Sequence, residues 1–135
     1  MKKFIKVLGM IVGSVAVIIA VLFGVMFFKM NSITKTAMAK QINAEIDMNQ
    51  VKDGSYLGSS DGGMVKVEVE VTVENHKITK IDLLKHENGK GQPAEAMLDE
   101  MIKANTDDVD VVSGATGSSK TIRNAVNKAL QEGMK

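Results

Sequence analysis

The chain has 135 residues, 17 Lys and Arg against 16 Asp and Glu for a net charge of +1, and no cysteine. The missing thiols exclude disulfides, thiolate zinc sites, Cys-ligated iron–sulfur clusters and Cys-attached haem, so any redox chemistry has to come from an organic cofactor. Lys2, Lys3, Lys6 and Lys29 lie within residues 1–29, which hold no acid; residues 30–135 keep 13 basic and 16 acidic residues, net −3, and give no electrostatic reason to bind nucleic acid.

Val7 to Phe28 contains no charged residue. As a helix these 22 residues rise about 33 Å, enough to cross a hydrocarbon core of ~30 Å. The positive-inside rule puts Lys2, Lys3 and Lys6 in the cytoplasm and the rest of the chain outside. The alternative is a cleaved signal peptide, but the apolar run is longer than such a segment needs and the nearest A-x-A pattern, Ala37-Met38-Ala39, lies well downstream. Residues 1–30 are therefore expected to be a single-pass anchor in the cell membrane. Residues 31–51 contain no Pro or Gly, and Ile33, Ala37, Ile42 and Ile46 could form a narrow apolar stripe. A juxtamembrane helix or stalk is expected there, with a mobile linker as the alternative.

Residues 52–135 are expected to form the folded domain. Its core has to be aliphatic, because Tyr56 is the only aromatic residue after Phe28. Asp53-Gly54-Ser55-Tyr56-Leu57-Gly58 starts at a turn and continues as a short strand, and Ser59 to Gly63 is rich in turn formers. Val65, Val67, Val69, Val71 and Val73 then alternate with Lys66, Glu68, Glu70 and Thr72, the period of a strand with one buried and one wet face. A turn at 74–77 leads to a further strand through Ile78, Ile81 and Leu83, and Asn88-Gly89-Lys90-Gly91 breaks it. Ala94, Met97, Leu98, Met101 and Ile102 predict a helix over 93–104, entered through Pro93, with Met97 and Met101 in the core. Val109–Val112 reads as a short strand or extended piece. Ile122, Ala125, Val126, Ala129 and Leu130 predict a second helix over about 118–132 that stops near Gly133. The order β-β-β-α-β-α predicts an α+β domain: a small antiparallel sheet covered on one face by two helices, preceded by one transmembrane helix.

Ser113-Gly114-Ala115-Thr116-Gly117-Ser118-Ser119 precedes the last helix. Free N–H groups and the positive dipole end of a helix attract anions, glycines allow close backbone approach, and Lys120 adds a cation. The residues alone leave two readings open: a phosphate cradle, or an ordinary loop with Ser118 as N-cap.

Asp53-Gly54-x-Tyr56-x-Gly58, the Val-rich hairpin, Ile78-x-x-Ile81 and Asp110-x-x-Ser113-Gly114-Ala115-Thr116-x-Ser118-Ser119 stand in the order found in the FMN-binding domain family. The chain resembles the covalent-flavin domains of the C subunit of Na⁺-translocating NADH:quinone reductase, the corresponding Rnf-complex subunit and flavoproteins of extracellular electron transfer. That resemblance implies FMN as cofactor, esterified through its phosphate to Thr116 by a separate flavin transferase that uses FAD. It also implies that Asp110, Ser113, Gly114 and Ala115 form the sequence the transferase recognises, while Gly117, Ser118, Ser119 and the helix N-terminus surround the phosphate.

Tyr56 is the one aromatic residue available to stack on a flavin, or else it packs in its strand. His76 is expected to be solvated in a turn and His86 at a strand end; the alternative for His86, implied by the resemblance, is a place near Gly89 and Gly91 in a loop next to the cofactor. Asp107 and Asp108 read as a solvated turn, because with Asp110 they match no calcium loop. No residue set resembles a substrate-reducing active site, so the expected role is a membrane-anchored, extracytoplasmic electron carrier rather than an independent enzyme, with a redox donor and acceptor that the sequence does not name. The alternatives are a non-covalent FMN-binding or flavin-handling protein, and a structural or assembly subunit with a vestigial flavin site.

Overall fold

A computed structural model describes residues 1–87 and 92–135; the expected break at Asn88–Gly91 lies outside the described residues. The chain divides into two compact units, Met1–Ile33 and Thr34–Lys135. The first is most of helix α1 (Lys2–Ala39), none of whose residues is buried and whose apolar side chains are exposed throughout. Exposed apolar surface of this extent is unfavourable in water and favourable in lipid. The helix is long and apolar enough to cross a membrane.

The second unit holds a three-stranded antiparallel sheet of β1 (Gly54–Asp61), β2 (Lys66–Glu74) and β3 (Lys77–Glu87), in the order β1-β2-β3. Alternation in β2 works as the sequence predicts: Val67, Val69, Val71 and Val73 are buried. Asn75 and His76 both have φ near +60°, as the tight two-residue turn between β2 and β3 requires. Ile78 and Ile81 are three residues apart yet both buried, which strict alternation forbids. A register shift resolves this, because Val73 pairs with Ile78 but Thr72 pairs with Lys80, leaving Thr79 as the extra residue. A second shift between Glu68 and Val69 skips Leu84, which is exposed.

A 3-10 turn at Gln92–Ala96 leads into helix α2 (Met97–Ala104), and helix α3 (Thr116–Gly133) follows. Met97, Met101, Ile122, Ala125, Val126, Ala129 and Leu130 complete the core against the valines. Helix α3 runs very close to β1: a Cβ on Gly58 would lie 2.0 Å from the Ala125 carbonyl oxygen.

Two expectations change. Val109–Val112 is extended but pairs with no strand; Val109 and Val112 pack on the core while Val111 faces out. Residues 31–51 are α-helical only as far as Ala39, with a short 3-10 turn at Met48–Gln50, and the backbone between them is held by polar side chains of α3. Asn127 makes a two-pronged clamp on Ala44, accepting from its N–H at 3.0 Å and donating to its C=O at 2.8 Å. Asn124 donates to the Ile42 carbonyl, and Gln41 donates to Thr121 Oγ1. These bonds satisfy backbone groups that a helix would have paired internally. Val51, beyond the clamp, is fully buried.

Candidate functional site

The Asp110–Ser119 motif makes a turn that feeds α3. Ala115 N–H donates to the Val112 carbonyl at 3.0 Å, and Gly114 sits between them at φ +81°. A four-residue turn with its third residue at positive φ is where glycine is needed. Ser119, fully buried, accepts the Val112 N–H through Oγ at 2.9 Å, and its own N–H donates to the Ala115 carbonyl. Ser119 is thus the internal brace of the loop.

Helix α3 begins at Thr116, two residues before the expected start, and its N-cap is Ala115 rather than Ser118. Alanine has no side-chain oxygen to cap a helix, and no side-chain cap bond exists here. The first turn contains no acidic residue. Thr116 is exposed at the first helical position, and a Cβ on Gly114 or Gly117 would meet nothing within 4 Å. An uncapped, acid-free helix start beside open space is suited to an external anion.

Of the other predicted residues, Asp110 and Ser113 are exposed beside Thr116 in sequence. Tyr56 does not join them. Its ring lies against Gly133 at the opposite end of α3, and its hydroxyl donates to the Lys52 carbonyl at 2.7 Å. The 17 helical steps from Thr116 to Gly133 correspond to about 25 Å. Tyr56 fastens the start of the domain to the end of α3.

His86 is not solvated. Its side chain is 3% exposed, with Nδ1 2.8 Å from Glu95 Oε1 and Nε2 3.2 Å from Ser118 Oγ. Ser118 is itself 2% exposed. The cause is register: His86 stands opposite the buried Val67, and directly opposed residues share a face of the sheet. The bulge at Leu84, which shifts the facing of this strand end, is not readable from composition. His76 is exposed, as expected, with its ring against the Val51 carbonyl. Asp107 departs from a solvated turn: it is buried and accepts from Asn127 Nδ2 at 2.8 Å, whereas Asp108 is exposed, as expected, and pairs with Arg123.

The model of the FMN-binding domain family matches residues 62–131, just over half of the chain. The chain belongs to this family. It is an FMN-binding flavoprotein, and the cofactor implied by the sequence motifs stands. The match takes in β2, β3, α2, the loop and nearly all of α3; it leaves β1 and Tyr56 outside. The chain is also similar to an uncharacterized protein of Treponema pallidum (strain Nichols), with 33% identity over 86 residues. That similarity covers 62% of this chain and 24% of the other, so the chain spans about a quarter of that relative's length.

The residues at the start of α3 fit the phosphate end of FMN. They offer first-turn N–H groups without a side-chain cap, the hydroxyls of Ser113 and Thr116, and the ammonium of Lys120.

Proposed function

We propose that the chain is a membrane-anchored, extracytoplasmic electron carrier whose FMN is held as a phosphodiester on Thr116. The observation that carries this reading is the helix start: an exposed threonine hydroxyl at the first position of a helix with no side-chain cap and no acid in its first turn. A phosphate bonded there lies where the backbone N–H groups and the dipole favour negative charge. A flavin transferase would form the bond between Thr116 Oγ and the FMN phosphorus of FAD, breaking the bond to AMP; the hydroxyl proton leaves with the transferase's base. Ser113 and Gly114, both exposed, and the buried Ala115 form the turn that the transferase reads, with Asp110 before it.

Bound flavin accepts two electrons together and releases them singly, which links two-electron donors to one-electron acceptors. The chain supplies retention and placement. A covalent link keeps FMN with a domain outside the cytoplasm, and Lys2, Lys3 and Lys6 at the start of α1 favour that orientation. The donor and acceptor are other redox proteins or quinones that meet the domain at the membrane surface.

The test is to produce the full chain with and without a flavin transferase, denature it on a gel, and look for flavin fluorescence in the protein band. The expected result is a fluorescent band only with the transferase, absent in Thr116→Ala. An equally fluorescent Thr116→Ala band removes the attachment. Flavin that leaves on denaturation points to a non-covalent site, and a colourless protein points to a structural subunit.

A further inference from the structure

A chain of hydrogen bonds runs from the partly exposed Glu95 through the buried His86 side chain to the buried Ser118, the third residue of α3, two residues from Thr116. Glu95 presents a carboxylate oxygen, which only accepts, so His86 Nδ1 carries a hydrogen. His86 Nε2 then has two states. As a lone pair it takes the Ser118 hydroxyl proton, which turns that hydroxyl inward. As N–H it donates to Ser118 Oγ, and the serine's own proton is released to donate elsewhere. The protonation of His86 therefore decides whether Ser118 is a donor available to the helix start.

An anion at the start of α3 favours the second state twice over: it gains a hydroxyl donor and a buried cation behind it. We infer that His86 is the proton-linked positioning residue of the phosphate site, so that FMN phosphate on Thr116 is held with His86 as imidazolium, Glu95 as its counter-charge and Ser118 turned to donate to the phosphate. This rests on the attachment proposed above. The charged groups of the elements around His86 are Glu95 on the 3-10 turn, Lys85 on β3, Lys66 and Glu68 flanking Val67 on β2, and Lys120 on α3. Of these, Lys66, Glu68, Lys85 and Lys120 are exposed and more strongly screened. Glu95 is in direct contact with His86.

The test uses the full chain in detergent micelles, labelled with ¹⁵N-histidine, before and after loading by a flavin transferase. The ring nitrogens of His86 and His76 are followed against pH. His76 is an internal reference, since it sits at the β2–β3 turn, about eight strand residues or ~26 Å from His86 along the sheet. The expected result is a proton affinity of His86 raised roughly tenfold, or about one pH unit, on loading, with His76 unmoved. In Ser118→Ala the rise in the loaded fraction falls to less than half, because the hydroxyl that couples imidazole to phosphate is gone. An unmoved His86 in loaded wild-type protein overturns the inference without any variant. An equal rise in Ser118→Ala also overturns it, since a bare Coulomb field would then suffice. Failure to load Thr116 overturns the proposed function and this inference together, whereas loading with an unmoved His86 overturns the inference alone.

Discussion

Asn127 is fully buried and makes four hydrogen bonds: two with the Ala44 backbone at 3.0 and 2.8 Å, one to Asp107 Oδ2 at 2.8 Å and one from Gln131 at 2.6 Å. Asn127→Ala removes all of them. Ala44 is exposed, so its backbone groups recover water and each loses only the net value of a bond, about 1 kcal/mol. Asp107 is 5% exposed, and its buried carboxylate oxygen loses its Asn127 donor at a further cost of about 1–3 kcal/mol. The expected loss is about 3–5 kcal/mol, a large part of the 5–15 kcal/mol typical of a domain. With a urea slope of about 1–1.5 kcal/mol per M, the unfolding midpoint of residues 34–135 should fall by roughly 2–5 M. In the Asp107→Ala background the same substitution should cost at least about 1 kcal/mol less, because no carboxylate is left stranded. A midpoint shift under about 0.5 M with unchanged slope would refute the clamp as an energetic element.

Two glycines give opposite expectations in the same melt. In Gly58→Ala the new Cβ meets the Ala125 carbonyl oxygen at 2.0 Å and the Ala129 nitrogen at 2.8 Å, both backbone, so β1 and α3 must separate and the loss should reach about 3 kcal/mol or more. Gly114→Ala meets open space, and its positive φ alone should cost about 1–2 kcal/mol. A fragment starting at residue 52 lacks Gln41, Ala44 and the buried Val51, and should unfold at clearly lower urea than residues 34–135 by circular dichroism.

The sheet was legible because β2 writes its two faces into the chain as Val against Lys, Glu and Thr. The helices were legible because Met97, Met101 and the Ile122–Leu130 set recur at helical spacing. The loop was legible as a motif, with its glycines read as allowing close backbone approach; that Gly114 is a turn residue at φ +81° came only from the structure. Its internal wiring was not. Ser118 and Ser119 look alike in sequence, yet one accepts a backbone N–H of its own loop while the other faces a histidine 32 residues away. His86 was misread because burial at a strand end depends on a bulge, and a single skipped residue reverses facing.

The asparagines of α3 carried a signal that periodicity hides. Asn is a poor residue for a helix interior, because its side chain competes for backbone groups. Asn124 and Asn127 nonetheless stand among Ile122, Ala125, Val126 and Ala129, all buried. Two buried amides on an apolar helix face have to bond something, and the absence of Pro, Gly and strand alternation in 41–47 marks no partner for them. The pairing becomes visible only in three dimensions, and it gives α3 a second task. The helix whose first turn is the proposed phosphate site also holds the chain that arrives from α1, through Thr121, Asn124 and Asn127, one to three turns further along. Weakening that hold should therefore loosen the Thr116 loop as well as the segment at 41–47, which ties the stability of the entering chain to the order of the proposed attachment point.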